Sequence, residues 1–182
     1  MFGQVIWITG LSGAGKTTLA KALVRELHKQ GQNPILLDGE GLRKIFNLNV
    51  QQQSEFDRNA RIKIALKYAQ ICQLLSSQGF TVVIATISMF KEIYIWNQKN
   101  LPKYFEVYLK VPIQELKRRD PKHFYQRYDE GKLINFPGLD IIVDEPKNSN
   151  TVLDFEHQPT VWKTPESLLK CLMLDLQKNK IV

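Results

Sequence analysis

Eight residues near the start of the chain have the spacing of a phosphate-binding loop. The pattern G-x-x-x-x-G-K-[ST] is met by Gly10, Leu11, Ser12, Gly13, Ala14, Gly15, Lys16 and Thr17, with Thr18 next in the chain. Glycines let backbone N–H groups turn toward phosphate oxygens, and the start of a helix adds partial positive charge. In such a loop Lys16 would reach the β- and γ-phosphates, and the Thr17 hydroxyl would ligate Mg²⁺. The loop therefore predicts ATP binding and cleavage.

A carboxylate follows the second short apolar run of the chain. Asp38 stands at the carboxyl end of the strand predicted over 34–37. It could hold Mg²⁺ through water or accept a proton from an attacking hydroxyl. The alternative is an N-cap of a helix that leads to Leu42. Glu40 is either a second carboxylate of the site or a solvated acid.

Arginines supply the candidate anion-binding groups. Arg43, Arg58 and Arg61 could each pair bidentately with a phosphate or sulfate of an acceptor. Arg58 and Arg61 lie one helical turn apart, so a solvated helix face is the alternative. Arg119 ends the basic run that starts at Lys117. Its guanidinium could stack on the adenine of ATP, or the run could simply be favourable at a helix carboxyl end.

Strands and helices alternate along the chain. Strands are predicted at 5–9, 34–37, 80–87, 105–111 and 152–155, and helices at 16–30, 58–77, 112–119 and after Thr164. This order predicts right-handed βαβ units and an α/β fold, with a parallel five-stranded sheet between two layers of helices. Ligands of such sheets bind beyond the carboxyl ends of the strands, where Gly10, Asp38 and Ser88 fall.

In two stretches the apolar residues do not recur with the spacing of a helix or a strand. Residues 46–56 predict a loop or an irregular helix. Residues 120–150 mix charge, glycine, proline and aromatics, which predicts a functional lid. With 182 residues and 43% hydrophobic content, the chain is expected to form one kinase domain over 1–182.

Composition limits the partners. The net charge of +7 favours anionic ligands, but the cations are dispersed and form no nucleic-acid-binding block. Cys72 and Cys171 are expected to be free thiols, and no zinc spacing is present. Neither a secretory leader nor a membrane-spanning run is recognised, so we expect a soluble, cytoplasmic protein without nucleic-acid or membrane partners.

Several further motifs occur in one order around the phosphate loop. They are Thr9 to Thr18, Leu37 to Glu40 with Arg43, Ser54 to Arg58, Ile87 with Ser88, Arg119 to Lys122 with Tyr125, and Asn135 to Asp140. Over roughly residues 6–154 this series resembles the adenylylsulfate kinase family. The resemblance implies a P-loop NTPase fold with a lid, and transfer of the γ-phosphoryl group of MgATP to the ribose 3′-hydroxyl of adenylylsulfate.

The resemblance also implies roles by position. Asp38 would be the catalytic carboxylate near metal and hydroxyl, and Arg119 would lie against the base of ATP. The other residues for which the resemblance implies a role would contact the acceptor. They are Arg43 and Arg58 (with Arg61 as an alternative equivalent) for its anionic part, Ile87 and Ser88 for direct contact, Lys122 in the lid, and Phe136 stacking on its base.

The departures from the family pattern lie on the acceptor side. Glu40 stands where the family has a second Asp, Gly41 and Arg61 stand where it has Asn, and residues 49–53 lack its Gly-Phe pair. The sequence of residues 86–90 is similar to that found in a branch of the family that phosphorylates cytidine diphosphoramidate for surface-polysaccharide modification. That acceptor is the alternative, with the same reaction at the ribose 3′-hydroxyl.

Two other classes of function remain open from the sequence. One is a P-loop kinase for a small metabolite without a base, and the other is a nucleotide-binding module without catalysis. Family members are commonly dimers, so a homodimer is an expectation by analogy alone.

Overall fold

The computed structural model describes residues 2–48 and 56–181. In these residues five parallel strands form one sheet in the order β2-β3-β1-β4-β5. The strands are β1 (Val5–Thr9), β2 (Ile35–Asp38), β3 (Val82–Ala85), β4 (Tyr104–Lys110) and β5 (Thr151–Asp154). The helices are α1 (Lys16–Lys29), α2 (Gly39–Ile45), α3 (Arg58–Ser77), α4 (Lys91–Asn100), α5 (Ile113–Arg119), α6 (Phe124–Asp129) and α7 (Pro165–Lys178).

The central strand β1 shows why helices cover both faces of the sheet. Every residue of β1 is buried, and successive side chains point to opposite faces. Ile6 and Ile8 pack in a cluster with α1 and α7, whereas Val5 and Trp7 pack in a second cluster with α3. The predicted three-layer αβα sandwich with a parallel five-stranded sheet is confirmed.

Helix-capping chemistry sets two of the helix boundaries. Helix α3 covers the predicted residues 58–77, and the Asp57 side chain accepts the Ala60 N–H at 2.7 Å. Helix α7 starts at Pro165, and the Thr164 hydroxyl accepts the Ser167 N–H at 3.2 Å. Cys72 and Cys171 are free thiols, as predicted.

Other elements differ from the prediction. Helix α4 was not predicted, and β3 is shorter than the apolar run 80–87, because the chain leaves the sheet after Ala85. Residues 120–150 contain the short helix α6 and an isolated bridge between Pro137 and Ile141. Of the predicted irregular stretch 46–56, residues 49–55 lie outside the described residues. In the described parts of the chain, no helix has the length and apolar character needed to cross a bilayer.

Candidate active site

The phosphate loop connects the carboxyl end of β1 to the start of α1. Gly15 caps α1 in the left-handed conformation, with φ of 94°. A Cβ added at Gly10 would lie 2.7 Å from the carbonyl oxygen of Leu109 in β4, so the loop passes too close to the sheet for a side chain. The first N–H groups of α1 therefore point into the space beyond the sheet.

Lys16, Thr17 and Asp38 meet at the base of the loop. The Lys16 Nζ donates to the Leu11 carbonyl at 2.7 Å, and the Thr17 hydroxyl donates to Asp38 Oδ2 at 3.3 Å. The pKa of Lys16 is lowered to about 7, mainly by burial: the Asp38 carboxylate opposes this effect, and the positive charges of Arg43 and Lys122 add to it.

Asp38 is the N-cap of α2 and also faces the phosphate loop. Its Oδ1 accepts the Glu40 N–H at 2.9 Å as the N-cap of α2, while Oδ2 faces Thr17. The cap fixes the side-chain orientation, so the second oxygen remains directed at the phosphate loop.

A cavity of about 590 Å³ opens in front of these groups. It brings together most of the predicted site residues: Ser12, Gly13, Gly15, Lys16, Thr17, Thr18, Asp38, Arg43, Arg61, Ile87, Lys122 and Phe136. The cavity thus combines the phosphate loop with guanidinium groups and with aromatic side chains from residues 120–137.

A small side cavity of about 40 Å³ adjoins this space. Arg43, Arg61, Phe56 and Ile87 line both cavities, and Ser88 lines only the smaller one. Ser88 is buried and has φ of 32°, an unusual conformation for a residue with a side chain. Its hydroxyl lies 2.8 Å from that of Thr86.

The segment predicted as a lid packs on the phosphate loop. The Tyr125 hydroxyl donates to the Ser12 carbonyl at 3.0 Å, and Lys122 forms an ion pair with Glu40 across the cavity. The Phe136 ring packs edge-on against Tyr125, with 5.0 Å between ring centroids. Phe136 is only 8% exposed, so it contributes to the core as well as to the cavity wall.

The Asp140 carboxylate shapes the turn that presents Phe136. Its Oδ2 accepts the Asn135 N–H at 2.7 Å, and its Oδ1 accepts the Phe136 N–H. Asn135 has φ of 56°, a left-handed conformation that Asn tolerates better than most residues. Residues 135–140 therefore form a turn in which the Asp140 carboxylate binds the backbone N–H groups at the start of the turn.

Arg58 is not placed where the resemblance implies. It is absent from the residues that line either cavity, because its guanidinium is bound by two carboxylates. It lies 2.9 Å from Glu92 Oε1 and 2.8 Å from Asp144 Oδ2. Arg61, the alternative equivalent, lines both cavities.

Arg119 also lies outside the lining of the main cavity. Its Nε donates to Glu115 at 2.7 Å, and its guanidinium carbon lies 5.0 Å from the Phe155 ring centroid and 5.5 Å from that of Trp162. Stacking on the adenine of ATP remains a prediction. Gly10, Leu11 and Ala14 likewise do not line the cavity; they support the loop from behind.

Sequence reasoning missed Phe56 and Tyr68. Phe56 lines both cavities, and Tyr68 lines the smaller one. Tyr68 is seven residues after Arg61 on α3, so helical periodicity places both on one face. That spacing was the available signal for Tyr68, whereas no regular pattern surrounds Phe56.

Comparisons with known proteins agree with this geometry. The sequence model of the family described as adenylylsulphate kinase matches residues 2–154. The chain is 38% identical to a cytidine diphosphoramidate kinase from Campylobacter jejuni over 93% of this chain and 96% of that protein. It is 35% identical to an adenylyl-sulfate kinase from Pseudomonas aeruginosa over 97% of this chain and 86% of that protein.

A solved structure matches over almost the whole length. The Mycobacterium tuberculosis APS kinase CysC, in complex with AMPPNP and APS, superposes with a TM-score of 0.84 at 27% identity, covering 97% of this chain and 98% of that chain. Given these matches and a phosphate loop that shares one cavity with Asp38 and Arg61, the chain belongs to the adenylylsulphate kinase family, an ATP-using family of phosphotransferases that act on a hydroxyl group.

Proposed function

We propose that the protein transfers the γ-phosphoryl group of ATP to the ribose 3′-hydroxyl of an activated nucleotide, with adenylylsulfate as the first candidate acceptor. One observation carries the proposal. A single cavity contains the phosphate-loop residues Lys16 and Thr17, the carboxylate of Asp38, and the guanidinium groups of Arg43 and Arg61. A phosphoryl donor and an anionic acceptor can therefore bind on opposite sides of one carboxylate.

The residues present fit a magnesium ion. The Thr17 hydroxyl and the Asp38 carboxylate are hard oxygen donors that lie 3.3 Å apart, and Mg²⁺ prefers one or two protein oxygens together with phosphate oxygens. They would hold the ion, which when bound would neutralise charge on the β- and γ-phosphates.

The remaining chemistry is done by side chains. Lys16 would bind phosphate oxygens and stabilise the negative charge that they carry during transfer. Asp38 would orient the 3′-hydroxyl and accept its proton, since its capping bond to Glu40 fixes the carboxylate. Arg43 and Arg61 would bind the anionic part of the acceptor, and Ile87 would contact it from the end of β3.

The segment 120–150 is proposed as a lid. Lys122, Phe124 and Phe136 all line the cavity from this segment. Phe136 would stack on the acceptor base, and closure of the segment would keep water from the γ-phosphate. The whole chain would act as one kinase domain.

A second acceptor, cytidine diphosphoramidate, is supported by a specific observation. A curated relative with that activity in its name shares 38% identity over nearly the full length of both chains. The departures from the family pattern, such as Arg61 and Glu40, also lie at or beside the acceptor side of the cavity. The donor side is unaffected by this choice.

The test is an assay of ADP release with each acceptor. The purified protein with MgATP is given adenylylsulfate or cytidine diphosphoramidate, and the product is examined by NMR for phosphate on the ribose 3′-oxygen. Lys16→Ala is the control for contaminating kinases. Turnover with neither acceptor would reject the proposal, and phosphate on a non-ribose carbon would favour a small-metabolite kinase.

We also propose that the protein works in the cytoplasm, where ATP is supplied, and as a homodimer by analogy with its family. Light scattering after size-exclusion chromatography tests the second point, and a monomer at working concentration would refute it.

A further inference from the structure

Two arginines one turn apart at the start of α3 have opposite surroundings. Arg58 makes three hydrogen bonds to carboxylates, two to Glu92 at 2.9 and 3.1 Å and one to Asp144 at 2.8 Å. Arg61 donates to two backbone carbonyls, those of Phe56 at 3.0 Å and Asn135 at 2.6 Å. Within residues 2–48 and 56–181, Arg61 forms no ion pair.

The partners of Arg58 belong to two other segments. Glu92 lies in the first turn of α4, and Asp144 lies near the end of the segment 120–150 that is proposed as a lid. Asp144 Oδ2 also accepts the Lys91 N–H at 2.9 Å, and its carbonyl accepts the Tyr94 hydroxyl at 2.9 Å. One cation faces two carboxylates here, so the group as a whole has no excess positive charge with which to attract an anion.

The charge balance around Arg61 is the opposite of that around Arg58. Its carbonyl partners satisfy its N–H groups without cancelling its charge, and Arg43 lines the same two cavities. Burial and the positive charge of Arg43 together lower the pKa of Arg61 to about 10, and the opposing effects of the Asp140 carboxylate and of Tyr68 do not offset them. An anion placed between these two guanidinium groups would compensate both.

The side cavity has suitable size and polarity for such an anion. Its volume of about 40 Å³ corresponds to about three water molecules, which matches the three terminal oxygens of a sulfate group or the two oxygens and one nitrogen of a terminal phosphoramidate. Besides the two guanidinium groups, it is lined by the hydroxyl-bearing side chains of Tyr68, Thr86 and Ser88. The Tyr68 hydroxyl donates to the Gly39 carbonyl at 3.4 Å, and the Thr86 and Ser88 hydroxyls bond to each other at 2.8 Å, so one proton of that pair is left to donate to an oxyanion.

We propose that Arg61, together with Arg43, binds the terminal tetrahedral oxyanion group of the acceptor in the side cavity. Arg58 is a positioning residue that ties the start of α3 to α4 and to the segment after residue 140. The inference rests on the proposed function and deepens it. It differs from what the family resemblance implies, because it removes Arg58 from the acceptor and places the guanidinium one turn further along α3.

The experiment compares Arg61→Ala, Arg58→Ala and Glu92→Gln with the wild type. Whichever acceptor the wild type turns over, adenylylsulfate or cytidine diphosphoramidate, identifies the oxyanion as sulfate or phosphoramidate. Arg61→Ala should raise the acceptor KM about tenfold to a hundredfold with the KM for ATP unchanged, because charge-assisted hydrogen bonds are lost.

Arg58 is distinguished by its partner. If Arg58 acts by holding the start of α3 against α4, Glu92→Gln and Arg58→Ala should change kcat in the same direction. The kcat of the double variant should then be no lower than that of Arg58→Ala alone. Glu92→Gln also covers the case in which Arg58→Ala fails to fold. A rise in acceptor KM for Arg58→Ala equal to that for Arg61→Ala, with Glu92→Gln unchanged or improved, would overturn the proposal.

A readout independent of turnover separates this inference from the proposed function. With the phosphate loop saturated by Mg·AMPPNP, sodium sulfate is titrated against sodium chloride at equal ionic strength while the melting temperature is measured. Sulfate should stabilise the wild type and Glu92→Gln by the same amount and Arg61→Ala by clearly less, since only the general stabilising effect of sulfate on folded proteins remains in that variant. No stabilisation of the wild type, or unchanged stabilisation of Arg61→Ala, would refute the subsite even if the kinase reaction is confirmed.

Discussion

Nucleotide binding should be coupled to proton uptake by Lys16. Burial holds the pKa of this lysine at about 7 in the ligand-free protein, although a free lysine titrates above pH 10. Phosphate oxygens placed beside the ammonium favour its charged form and so raise the pKa. The lysine that is partly neutral before binding must therefore become charged on binding.

The size of the effect follows from the pKa. With a starting value of about 7 and full protonation in the complex, uptake is about 0.9 proton at pH 8, about 0.5 at pH 7 and about 0.1 at pH 6. The sign is fixed: a proton taken up on binding makes the affinity fall as pH rises. Between pH 7 and pH 9 the association constant should fall about fiftyfold.

Isothermal titration calorimetry measures this uptake directly. AMPPNP with excess Mg²⁺ is titrated at pH 8 in buffers of different ionisation enthalpy, and the slope of observed against buffer enthalpy gives the number of protons. Lys16→Arg is the matched control, because a guanidinium stays charged throughout this range and its complex contains the same nucleotide. The difference between the two slopes isolates the lysine.

Equal slopes for the wild type and Lys16→Arg at pH 8 would refute the reasoning. They would mean that Lys16 is already fully charged in the ligand-free protein, so that the Leu11 carbonyl and Asp38 compensate its burial. A slope difference that increases from pH 6 to pH 8 is the expected result.

Further predictions concern the carboxylate, the aromatic wall and the loop contact. Asp38→Asn should lower kcat about a hundredfold or more with little change in the KM for ATP; unchanged kcat would leave Asp38 as a helix cap only. Phe136→Leu keeps an apolar side chain but removes the ring, so steady-state kinetics should show an acceptor KM raised about fivefold to 150-fold, from about 1–3 kcal/mol for base stacking. Gly138→Ala should lower the melting temperature more than Gly131→Ala: both glycines have positive φ, but only at Gly138 would the new Cβ meet a side chain, Leu11, at 2.8 Å. Equal losses would show that this contact relaxes freely.

The parts of the molecule that were predictable from sequence are those determined by residues close together in the chain. The phosphate loop needs glycines where the backbone turns, and those residues are adjacent in the chain. Helix α3 was predicted to its ends because its apolar side chains recur with helical spacing and Gly79 follows its carboxyl end. Alternating strands and helices then fix the layer order.

The roles of the arginines depend on distant residues. Arg58 is removed from the cavity by Glu92, 34 residues away, and by Asp144, 86 residues away. No local pattern reports those pairings, so Arg58 and Arg61 looked equivalent on the helix. Helix α4, which carries Glu92, was itself not predicted, because its tyrosine, tryptophan and isoleucine residues do not give a clear helical signal.

The same contrast explains why the acceptor is harder to identify than the donor. The donor side is built largely from backbone groups of one continuous loop, whose Gly, Lys and Thr positions form a recognisable pattern in the sequence. The acceptor side is built from side chains on α2, α3, the end of β3 and the segment near Phe136. Each of these side chains can change while the elements that carry them stay in place. A guanidinium can therefore move by one helical turn, from Arg58 to Arg61, without altering the fold. We expect acceptor preference in this family to change through such substitutions, while Asp38 stays directed at the phosphate loop because its other oxygen accepts the Glu40 N–H.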